Sequence, residues 1–316
     1  MKSLNNGYFY INEMNKINYF LHNPKVFLEI GLLKLLKYLP DEEFLKIKYR
    51  FRMRKRLNLK NPQTYNEKLQ WLKLYDRKPI YTNMVDKAEA KEYVAELIGN
   101  QYIIPTYGVW DKWEDIDFEK LPDQFVLKTT HDSGGVAICK NKSTFDFEGA
   151  RRKLTKSLRH NYFLDNREWP YKNVPHRLLA EKYMEDETGE LRDFKFFAFG
   201  GKVKALFIAT ERFKKGEDTK FDFFDENFKH LPFTNGHPNA DHTLPEPPAF
   251  EKMKELAEKL SKGIPQLRVD FYNINGKIYF GELTFFHWSG IMPFVPEEWD
   301  FRFGQWIKLP VNSNAK

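Results

Sequence analysis

The sequence has only one cysteine, Cys139, among its 316 residues. A single thiol excludes a disulfide framework within the chain and a multi-cysteine zinc site, and it is typical of a reducing compartment. The first ten residues also lack the basic region and apolar core of a secretory signal. We therefore expect a cytoplasmic protein.

Long apolar runs are missing as well. The best candidate, Val26 to Leu39, is interrupted by Lys34 and Lys37 and closed by Pro40. A transmembrane helix needs about 20 apolar residues, so this shorter segment predicts a packed or interfacial helix. We find no internal repeat and no low-complexity run. The 41% hydrophobic and 16% aromatic content indicates a folded chain, long enough for two or more subdomains.

Acidic residues are scarce at one end of the chain. Residues 1–60 hold 13 Lys and Arg but only 5 Asp and Glu, a net charge of +8, whereas the whole chain has +7, so the other 256 residues sum to −1. Within this segment, apolar residues from Ile47 to Met53 alternate with Lys and Arg as in a strand, but Phe44, Ile47 and Phe51 also suit a helix. We predict a helix from Phe44 to Arg56 that starts near Asp41. Its basic residues form either a solvated face or a surface for an anionic membrane or an acidic glycan. The second alternative predicts peripheral association through residues 1–56, at the inner face of the membrane.

Capping and turn residues predict the elements that follow. Thr64 and Glu67 form a capping box before one helix, and Asp86 and Glu89 repeat the pattern before a second helix whose first turn contains Lys87. The other predicted elements, in chain order, are strands at Gln124 to Lys128 and Val136 to Cys139, a helix at Asp146 to His160, a strand at Leu178 to Met184, a hairpin at Asp193 to Phe199 and Lys202 to Ala209, and a helix at Phe250 to Lys262.

A hairpin near the end of the chain carries the strongest functional signal. Val-, Phe-, Tyr- and Ile-rich runs flank Asn275-Gly276, which is the typical sequence of a tight β-turn. Its two arms bear Asp270 and Glu282. Two carboxylates on apolar strands either face water at a sheet edge or hold a divalent cation between them. Oxygen ligands favour Mg²⁺ beside a phosphate-bearing substrate.

The register of this hairpin decides whether the two acids can meet. A two-residue Asn275-Gly276 loop with regular pairing would put Asp270 and Glu282 on opposite faces of the sheet. We therefore predict a three-residue loop, Ile274 to Gly276, which pairs Arg268 with Glu282, or an equivalent bulge.

Two other places could contact phosphate. Lys87 lies at the positive end of a helix dipole, where a nearby anion would relieve its charge, although a lysine bent into water is the alternative. Ser133, Gly134 and Gly135 form the tip between two short strands, and their backbone N–H groups lack Cβ obstruction, although most Gly-Gly pairs are only turns.

The order of these pieces resembles the ATP-grasp fold from about Asn61 to Phe294. That resemblance implies an α+β protein in which two subdomains with antiparallel sheets sandwich ATP. It also implies roles for three groups of residues around the nucleotide. The phosphate-binding lysines would be Lys87 and Lys128, the mobile glycine-rich lid would be the tip His131, Asp132, Ser133, Gly134 and Gly135, and the adenine hinge would be Glu181, Lys182, Tyr183 and Met184.

The resemblance extends to the catalytic residues. Asp193 falls where a carboxylate takes the ribose hydroxyls, and Arg268, Asp270 and Glu282 match the arginine and two magnesium-binding acids of the terminal hairpin. Thr284 stands where the superfamily has an asparagine. Because a hydroxyl is a weaker magnesium ligand than an amide carbonyl, only two protein ligands are expected.

Two longer strings resemble the narrower TupA-like branch, found in teichuronopeptide and capsular polysaccharide clusters. They are Asn61-Pro62-Gln63-Thr64-Tyr65-Asn66-Glu67-Lys68-Leu69-Gln70-Trp71 and Arg167-Glu168-Trp169-Pro170-Tyr171-Lys172-Asn173. The implied organisation is a basic helical segment (1–60), a linking subdomain (61–123), a lid subdomain (124–184) and a C-terminal subdomain with the metal hairpin (185–316).

The function implied by the resemblance is ligation with ATP and Mg²⁺. ATP would phosphorylate a carboxylate and an amine would displace phosphate, with a uronic acid and an amino acid as the expected partners in either role. Arg268 would bind the carboxylate and acyl-phosphate, and Lys195 and Arg212 are further candidates for phosphate or an acidic acceptor; a surface ion pair is the alternative for Arg212.

Three other functions fit parts of the sequence. Asp115-Ile116-Asp117 has the spacing of a glycosyltransferase metal motif, but no apolar strand precedes it, which favours an acidic turn. Gly200-Gly201-Lys202 lacks the upstream glycine of a phosphate-binding loop. A non-catalytic binder of anionic polymer would use the basic N-terminus but would not need Asp270 and Glu282 together. The basic residues show no groove-reading pattern, so no nucleic-acid partner is expected.

Overall fold

The computed structural model describes residues 36–186, 191–211 and 218–310. The chain divides into two compact units, residues 1–57 and residues 58–316. The predicted helix Val26 to Leu39 falls almost wholly outside the described residues, which include only a short 3-10 helix at its end, Leu36–Tyr38.

The described part of the first unit is dominated by helix α1, Asp41–Met53, which confirms the predicted helix. Three acids, Asp41 to Glu43, occupy its first turn, where they favour the positive end of the helix dipole. Arg54 ends the helix in the left-handed conformation, with φ at 58°. The apolar side chains share one buried stripe, while Arg50, Arg52 and, just beyond the helix, Arg56 are exposed. The alternating basic pattern therefore belongs to a helix and not to a strand.

The second unit begins with three helices, α2 (Tyr65–Tyr75), α3 (Ile80–Val85) and α4 (Glu89–Ile98). The capping box of α2 is confirmed: Thr64 Oγ1 accepts from Glu67 N at 3.2 Å, and Glu67 Oε2 accepts from Thr64 N at 3.2 Å. At α4 only half of the predicted second capping box forms. Asp86 Oδ1 accepts from Ala88 N at 2.8 Å and from Glu89 N at 3.4 Å, but the Glu89 side chain pairs with an arginine instead of closing the box. Lys87 thus lies in the turn before α4 and not in its first turn.

The first sheet has four antiparallel strands. They are β1 (Thr106–Trp110), β2 (Phe125–Thr129), β3 (Val136–Cys139) and β4 (Leu178–Lys182), in the order β1-β4-β2-β3. Helix α5 (Phe147–Leu158) covers one face of this sheet by packing Ala150 and Leu154 on Phe125 and Leu127. A short helix α6 (Phe163–Asn166) follows α5. The opposite face of the sheet is left for Lys128 and Glu181, which alternate with the core residues.

The second sheet has six antiparallel strands in the order β11-β10-β5-β6-β7-β8. Their bounds are β5 Asp193–Phe199, β6 Lys202–Thr210, β7 Lys220–Asp225, β8 His230–Leu231, β10 Leu267–Ile274 and β11 Lys277–Thr284. Strands β9 (Thr234–Asn235) and β12 (Phe294–Val295) form a separate pair, and helices α7 (Phe250–Leu260) and α8 (Glu298–Trp306) complete the unit. The sequence analysis did not predict β1, α3, β7 to β9, β12 or α8.

Residues 61–123 contribute to the cores of both sheets. Helices α2, α3 and α4 place Leu69, Met84 and Val94 in the large core of the six-stranded sheet. Trp113 and Ile116, which follow β1, belong to the small core beneath the four-stranded sheet. This segment therefore ties the two sheets together.

The α2 cap can be tested by substitution. Thr64→Ala should lower the free energy of unfolding by about 1 kcal/mol, because the Glu67 N–H loses its acceptor at a helix end. Thr64→Ser keeps the oxygen and should retain most of that stability. Urea unfolding followed by circular dichroism measures both, and equal losses in the two variants would contradict the capping role.

Candidate active site

A bulge in the β10–β11 hairpin brings the two acids together. The loop itself has two residues, since Ile274 pairs with Lys277, and Asn275 and Gly276 both have positive φ, at 51° and 80°. The predicted three-residue loop is therefore wrong. The alternative prediction of a bulge is confirmed: Phe271 pairs with Phe280 and Asp270 with Glu282, so that Gly281 is an extra residue on β11.

Gly281 suits this bulge because space beside it is limited. A Cβ at this position would lie 3.1 Å from the Asp270 carbonyl oxygen and 3.3 Å from the Tyr272 ring. The extra residue reverses the side-chain alternation of β11 from Glu282 onward. Asp270 and Glu282 consequently lie directly opposite each other on one face.

Two cations lie on the same face as the acids. The neighbouring strand β5 pairs Lys195 with Asp270, so Lys195, Asp270 and Glu282 form one row across three strands. Arg268, two residues along β10, donates to both Asp270 oxygens at 2.7 and 2.8 Å and to Glu282 Oε1 at 2.7 Å. Lys195 Nζ also donates to Asp270 Oδ2 and lies 3.3 Å from Asp193.

The acids differ in their surroundings. Asp270 is 1% exposed; burial raises its pKa, while the adjacent Arg268 and Lys195 oppose that rise. Loss of solvation also acts on Glu282, but Arg268, Lys195 and Lys87 outweigh it and hold the pKa of Glu282 at about 2. Glu282 is thus an ionised, partly exposed carboxylate at the rim of a buried charge cluster.

Lys87 reaches this cluster from the turn before α4. Its Nζ donates to the Asp132 carbonyl, and its backbone N–H donates to Thr130 O at 3.1 Å, which fixes it beside the end of β2. Burial lowers the pKa of Lys87, whereas Glu282 and Asp132 raise it. The structure therefore places Lys87 between the lid loop and the hairpin acids.

Lys128 belongs to a second cluster, on the open face of the four-stranded sheet. Lys128 Nζ donates to Glu181 Oε1, and Lys91 Nζ lies 2.8 Å from Glu181 Oε2. Burial opposes ionisation of Glu181, but Lys128 and Lys91 outweigh burial and hold its pKa at about 2. The sequence analysis missed Lys91. Its position one helical turn after Lys87 was the available signal.

The lid loop is anchored by a buried aspartate. Asp132 accepts hydrogen bonds from the Thr129 and Ser157 hydroxyls, and a Cβ at Gly135 would clash with both of those hydroxyls. Ser133 and Gly134 are exposed at the tip, and Gly134 has a φ of 106°. The base of the loop is therefore fixed, and its exposed tip carries the backbone N–H groups proposed for phosphate.

His131 points into the protein. Its Nε2 lies 3.2 Å from Ser157 O and 3.1 Å from His160 O, and its ring stacks on His176 with centroids 3.7 Å apart. Burial and the neighbouring His176 lower its pKa to about 4. These contacts connect His131 to the end of α5 and to His176.

Most of the remaining predicted site residues lie in the described part of the chain, and one lies outside it. Glu181 and Lys182 end β4, and Tyr183 and Met184 continue from it without regular structure. Asp193 is buried at the start of β5. Arg212 lies outside the described residues, and so do residues 187–190, which follow Met184 by a few positions.

His287 was not among the site residues predicted from the sequence, but it lies beside the hairpin charges. It is buried, and its Nδ1 is 2.9 Å from Arg268 Nη1. Burial, together with Arg268 and Lys195, holds its pKa well below the usual range. The backbone after it is unusual, because Trp288, Ser289 and Gly290 have φ values of 48°, 55° and 61°.

Both family-like strings meet this left-handed turn. Gln70, from the first string, donates to the carbonyls of Ser289 and Gly290 at 2.9 and 2.7 Å. Glu168, from the second string, accepts from the Ser289 hydroxyl. Lys73 on α2 is a third supporting residue and donates to Ser289 O at 2.8 Å. The strings therefore support the backbone that follows the hairpin acids.

The sequence agrees with this arrangement at the level of a family. The sequence model described as TupA-like ATPgrasp matches residues 67–308, which is 242 of the 316 residues. The chain belongs to this family. Its fold is the ATP-grasp fold, with two antiparallel sheets and the terminal hairpin. No curated protein matches the chain.

Solved ATP-grasp ligases resemble the TupA-like chain at low identity. D-alanine-D-alanine ligase from Helicobacter pylori is 14% identical, with 77% of this chain and 69% of that chain covered and a TM-score of 0.43. N5-carboxyaminoimidazole synthetase from Staphylococcus aureus is 16% identical, with 64% and 44% covered and a TM-score of 0.38. The ligase PsnB, in a complex with its minimal precursor, Mg and ADP, is 7% identical, with 69% and 57% covered and a TM-score of 0.38.

The donor set fits magnesium better than a closed protein cage. Within residues 36–186, 191–211 and 218–310, no three His, Cys, Asp or Glu side chains group as metal ligands. Two facing carboxylates suffice for Mg²⁺, because it keeps several waters and takes further oxygens from phosphates. Thr284 donates to Glu282 Oε1 at 3.3 Å and so supports this acid.

Two rival interpretations lose support. Asp115 and Asp117 are exposed and pair with Lys112 at 3.5 Å and Lys120 at 3.0 Å, as expected for an acidic turn. Gly200-Gly201 forms the turn between β5 and β6. A separate finding concerns the membrane: no helix in the described part of the chain combines the length and the apolar character that a membrane span requires.

The ion pairs of Glu181 with Lys128 and Lys91 predict that the stability difference between wild type and a Glu181 variant depends on pH. A carboxylate whose pKa falls from 4.5 to about 2 on folding stabilises the protein above pH 4.5, and the effect disappears as the pH falls toward 2. Glu181→Gln should therefore cost about 3 kcal/mol at pH 7 and much less near pH 2.5.

Urea unfolding of wild type and variant across this pH range measures the difference. Glu255→Gln is the control, since it removes only an exposed partner of Lys252 and should change stability by less than about 1 kcal/mol. A constant difference between wild type and Glu181→Gln at every pH would contradict the assignment.

Proposed function

We propose that this protein is an ATP-dependent carboxylate–amine ligase that forms an amide through an acyl-phosphate. The observation that carries the proposal is the row formed by Lys195, Asp270 and Glu282, with Arg268 donating to both acids. Phosphoryl transfer needs positioning and charge neutralisation, and this row supplies both cations and oxygen ligands on one face.

The proposed reaction has two steps, phosphorylation of the carboxylate and displacement of phosphate by the amine, and residues of the site suit both. A carboxylate oxygen attacks the γ-phosphorus, the bond from that phosphorus to the bridging oxygen breaks, and ADP leaves. The amine nitrogen then attacks the acyl carbon, the bond to phosphate breaks, and phosphate and a proton are released. Mg²⁺ held by Asp270 and Glu282 would neutralise charge on the transferred phosphoryl group. Arg268 orients the carboxylate and stabilises the acyl-phosphate.

In this proposal the nucleotide lies between two clusters. One is the hairpin cluster of Lys195, Arg268, Asp270 and Glu282, and the other is the cluster of Lys91, Lys128 and Glu181. Lys87 and Lys128 contact the phosphates, and the backbone of Ser133 to Gly135 covers them. The Lys182 carbonyl and the Met184 N–H read the adenine edge, because that edge presents one donor beside one acceptor. Asp193 takes the ribose hydroxyls. The contact of Lys87 with the loop at Asp132 and that of Lys128 with Glu181 support the assignment.

The proposed substrates are a uronic acid, or another acidic component, and an amino acid or related amine. Their joining would serve capsular or cell-surface polysaccharide biosynthesis, in the cytoplasm and at the inner face of the membrane. Lys195 and Arg212 would contact phosphate or the acidic acceptor. Family membership supports this context.

The decisive experiment follows ATP turnover. The protein, Mg²⁺ and ATP are incubated with pooled uronic acids and amino acids, and ADP, phosphate and new amides are measured. We expect sustained ADP formation only when both substrates are present. Transfer of sugar from a nucleotide sugar without ATP turnover would overturn the proposal.

Neutralising either acid should abolish turnover. Asp270→Asn and Glu282→Gln each remove a negative charge from the proposed metal site, and we expect losses of at least about a hundredfold in kcat. Asp222→Asn is the matched control. Asp222 is also buried, and its pairing with Ile208, in register with Phe194 and Phe271, puts it on the other face of the same sheet. Wild-type rates in either site variant would remove the metal assignment.

The basic N-terminal unit predicts salt-sensitive binding to anionic vesicles. Replacing Arg50, Arg52 and Arg56 with Gln should weaken binding on the order of a hundredfold, at about 1 kcal/mol for each arginine. Co-sedimentation at low and high salt measures this.

A variant with the same charge change provides the control. Arg152, Lys156 and Arg159 on α5 and at its end are also exposed, and their replacement with Gln should leave vesicle binding near the wild-type value. Equal binding by all three proteins would refute membrane docking by the N-terminus.

A further inference from the structure

His287 connects the active-site arginine to the protein interior. The His287 side chain is 4% exposed, with Nδ1 2.9 Å from Arg268 Nη1 and Nε2 3.0 Å from Asn235 Oδ1. Asn235 is itself buried, and its Nδ2 donates to Met292 O at 3.2 Å and to Pro293 O at 3.1 Å. A continuous chain of hydrogen bonds thus runs from two backbone carbonyls to the guanidinium.

The partners fix the chemical state of each group in this chain. A guanidinium has only donors, so Nδ1 of His287 must accept and carry no proton. The two backbone carbonyls orient the Asn235 amide, which leaves its Oδ1 facing the ring as an acceptor. His287 Nε2 must then carry the proton. The neutral Nε2–H tautomer is the one form of His287 that satisfies both neighbours.

This anchor differs from the other contacts of Arg268. Its remaining bonds go to Asp270 and Glu282, whose oxygens are the ones that a bound cation would also use. A cation at the acids would weaken those contacts but would leave the bond to His287 in place. The ring is held by packing too, with centroids 5.0 Å from Phe197 and 5.3 Å from Phe207.

We propose that His287 is a positioning residue, which with Asn235 holds Arg268 in its catalytic orientation while Asp270 and Glu282 turn to the metal. The part of this proposal that concerns turnover rests on the proposed ligase function; the tautomer and the hydrogen-bond chain do not. The left-handed turn supported by Gln70 and Glu168 directly follows His287, which gives both family-like strings a shared purpose.

The first test reads the tautomer directly and needs no activity. Long-range ¹H–¹⁵N spectra of the metal-free protein at pH 7 show the ring nitrogens of its eight histidines, and the His287→Asn variant identifies the signals of His287. We expect an unprotonated Nδ1 and a protonated Nε2. A protonated Nδ1, an imidazolium or a mixture of tautomers in the wild type would overturn the proposal.

The second test compares two side chains of similar size. In His287→Asn the amide oxygen can replace Nδ1 as acceptor for Arg268, whereas His287→Leu has no acceptor. We expect kcat to fall about 10–100-fold in His287→Leu and severalfold less in His287→Asn. The KM for ATP should stay close to the wild-type value in both, because the nucleotide is held elsewhere. Equal kcat values in the two variants would contradict a positioning role.

A second pair separates positioning from general stability. Asn235→Leu and Asn239→Leu each delete a side-chain amide that donates to two backbone carbonyls, but Asn239 has no contact with His287 among the described residues. Asn235→Leu should mix the His287 tautomers and lower kcat about tenfold. Asn239→Leu should change neither. This pair also decides the question if the His287 variants do not fold.

The outcomes distinguish the two proposals. A protein that forms no ADP with any substrate pool, yet shows the expected tautomer and its loss in Asn235→Leu, retains the hydrogen-bond chain and loses the ligase assignment. A protein that turns over ATP with wild-type kcat in His287→Leu keeps the ligase assignment and loses the role of His287.

Discussion

The site depends on two carboxylates that lie beside each other, Asp270, which is buried, and Glu282, which is partly exposed. An ionised carboxylate that leaves water loses several kcal/mol of solvation, and two of them on adjacent strands also repel each other. Arg268 and Lys195 offset both costs, because one donates to both acids and the other contacts the more buried acid. The chain must therefore hold three strands in one register, since a slip of one residue in any of them would separate charges from their partners.

That constraint explains why the register change lies at Gly281 and not at the turn. The Asn275-Gly276 turn adopts the left-handed pair of conformations that its sequence favours. With regular pairing, however, this turn would put Asp270 and Glu282 on opposite faces, so the side-chain alternation of β11 must be reversed before Glu282. A single extra residue, placed next to Glu282, changes the face where the charges lie and leaves Phe271 and Phe280 paired in the core. Local turn chemistry and long-range charge pairing are thus both satisfied.

The same distinction separates what the sequence could predict from what it could not. The α2 capping box, the helix at Phe250 and the β5–β6 hairpin depend on neighbours within a few residues, and the structure confirms them. A shared face for Asp270 and Glu282 was also predicted, because two acids that repel each other can hold one cation only from the same face. The device that brings the two acids to one face could not be predicted, because a three-residue loop and a bulge give the same result. The close packing around Gly281 favours the bulge.

Contacts between residues far apart in the chain account for the other differences. Glu89 leaves its expected cap because Arg177, 88 positions away, offers a charged partner at 2.8 Å. His287 looked like an ordinary loop residue because Arg268 and Asn235 approach it only in the folded chain.

The family-like strings show how such distant contacts can act on chemistry. Neither string supplies any of the residues proposed to bind ATP or metal. Gln70 and Glu168 instead fix three consecutive left-handed residues, a backbone conformation that costs free energy for Trp288 and Ser289 and needs support from its surroundings. Because His287 immediately precedes that turn, a change in either string would reach the guanidinium through the backbone. In the proposed mechanism, side chains outside the reaction centre thus help to set the orientation of the arginine within it.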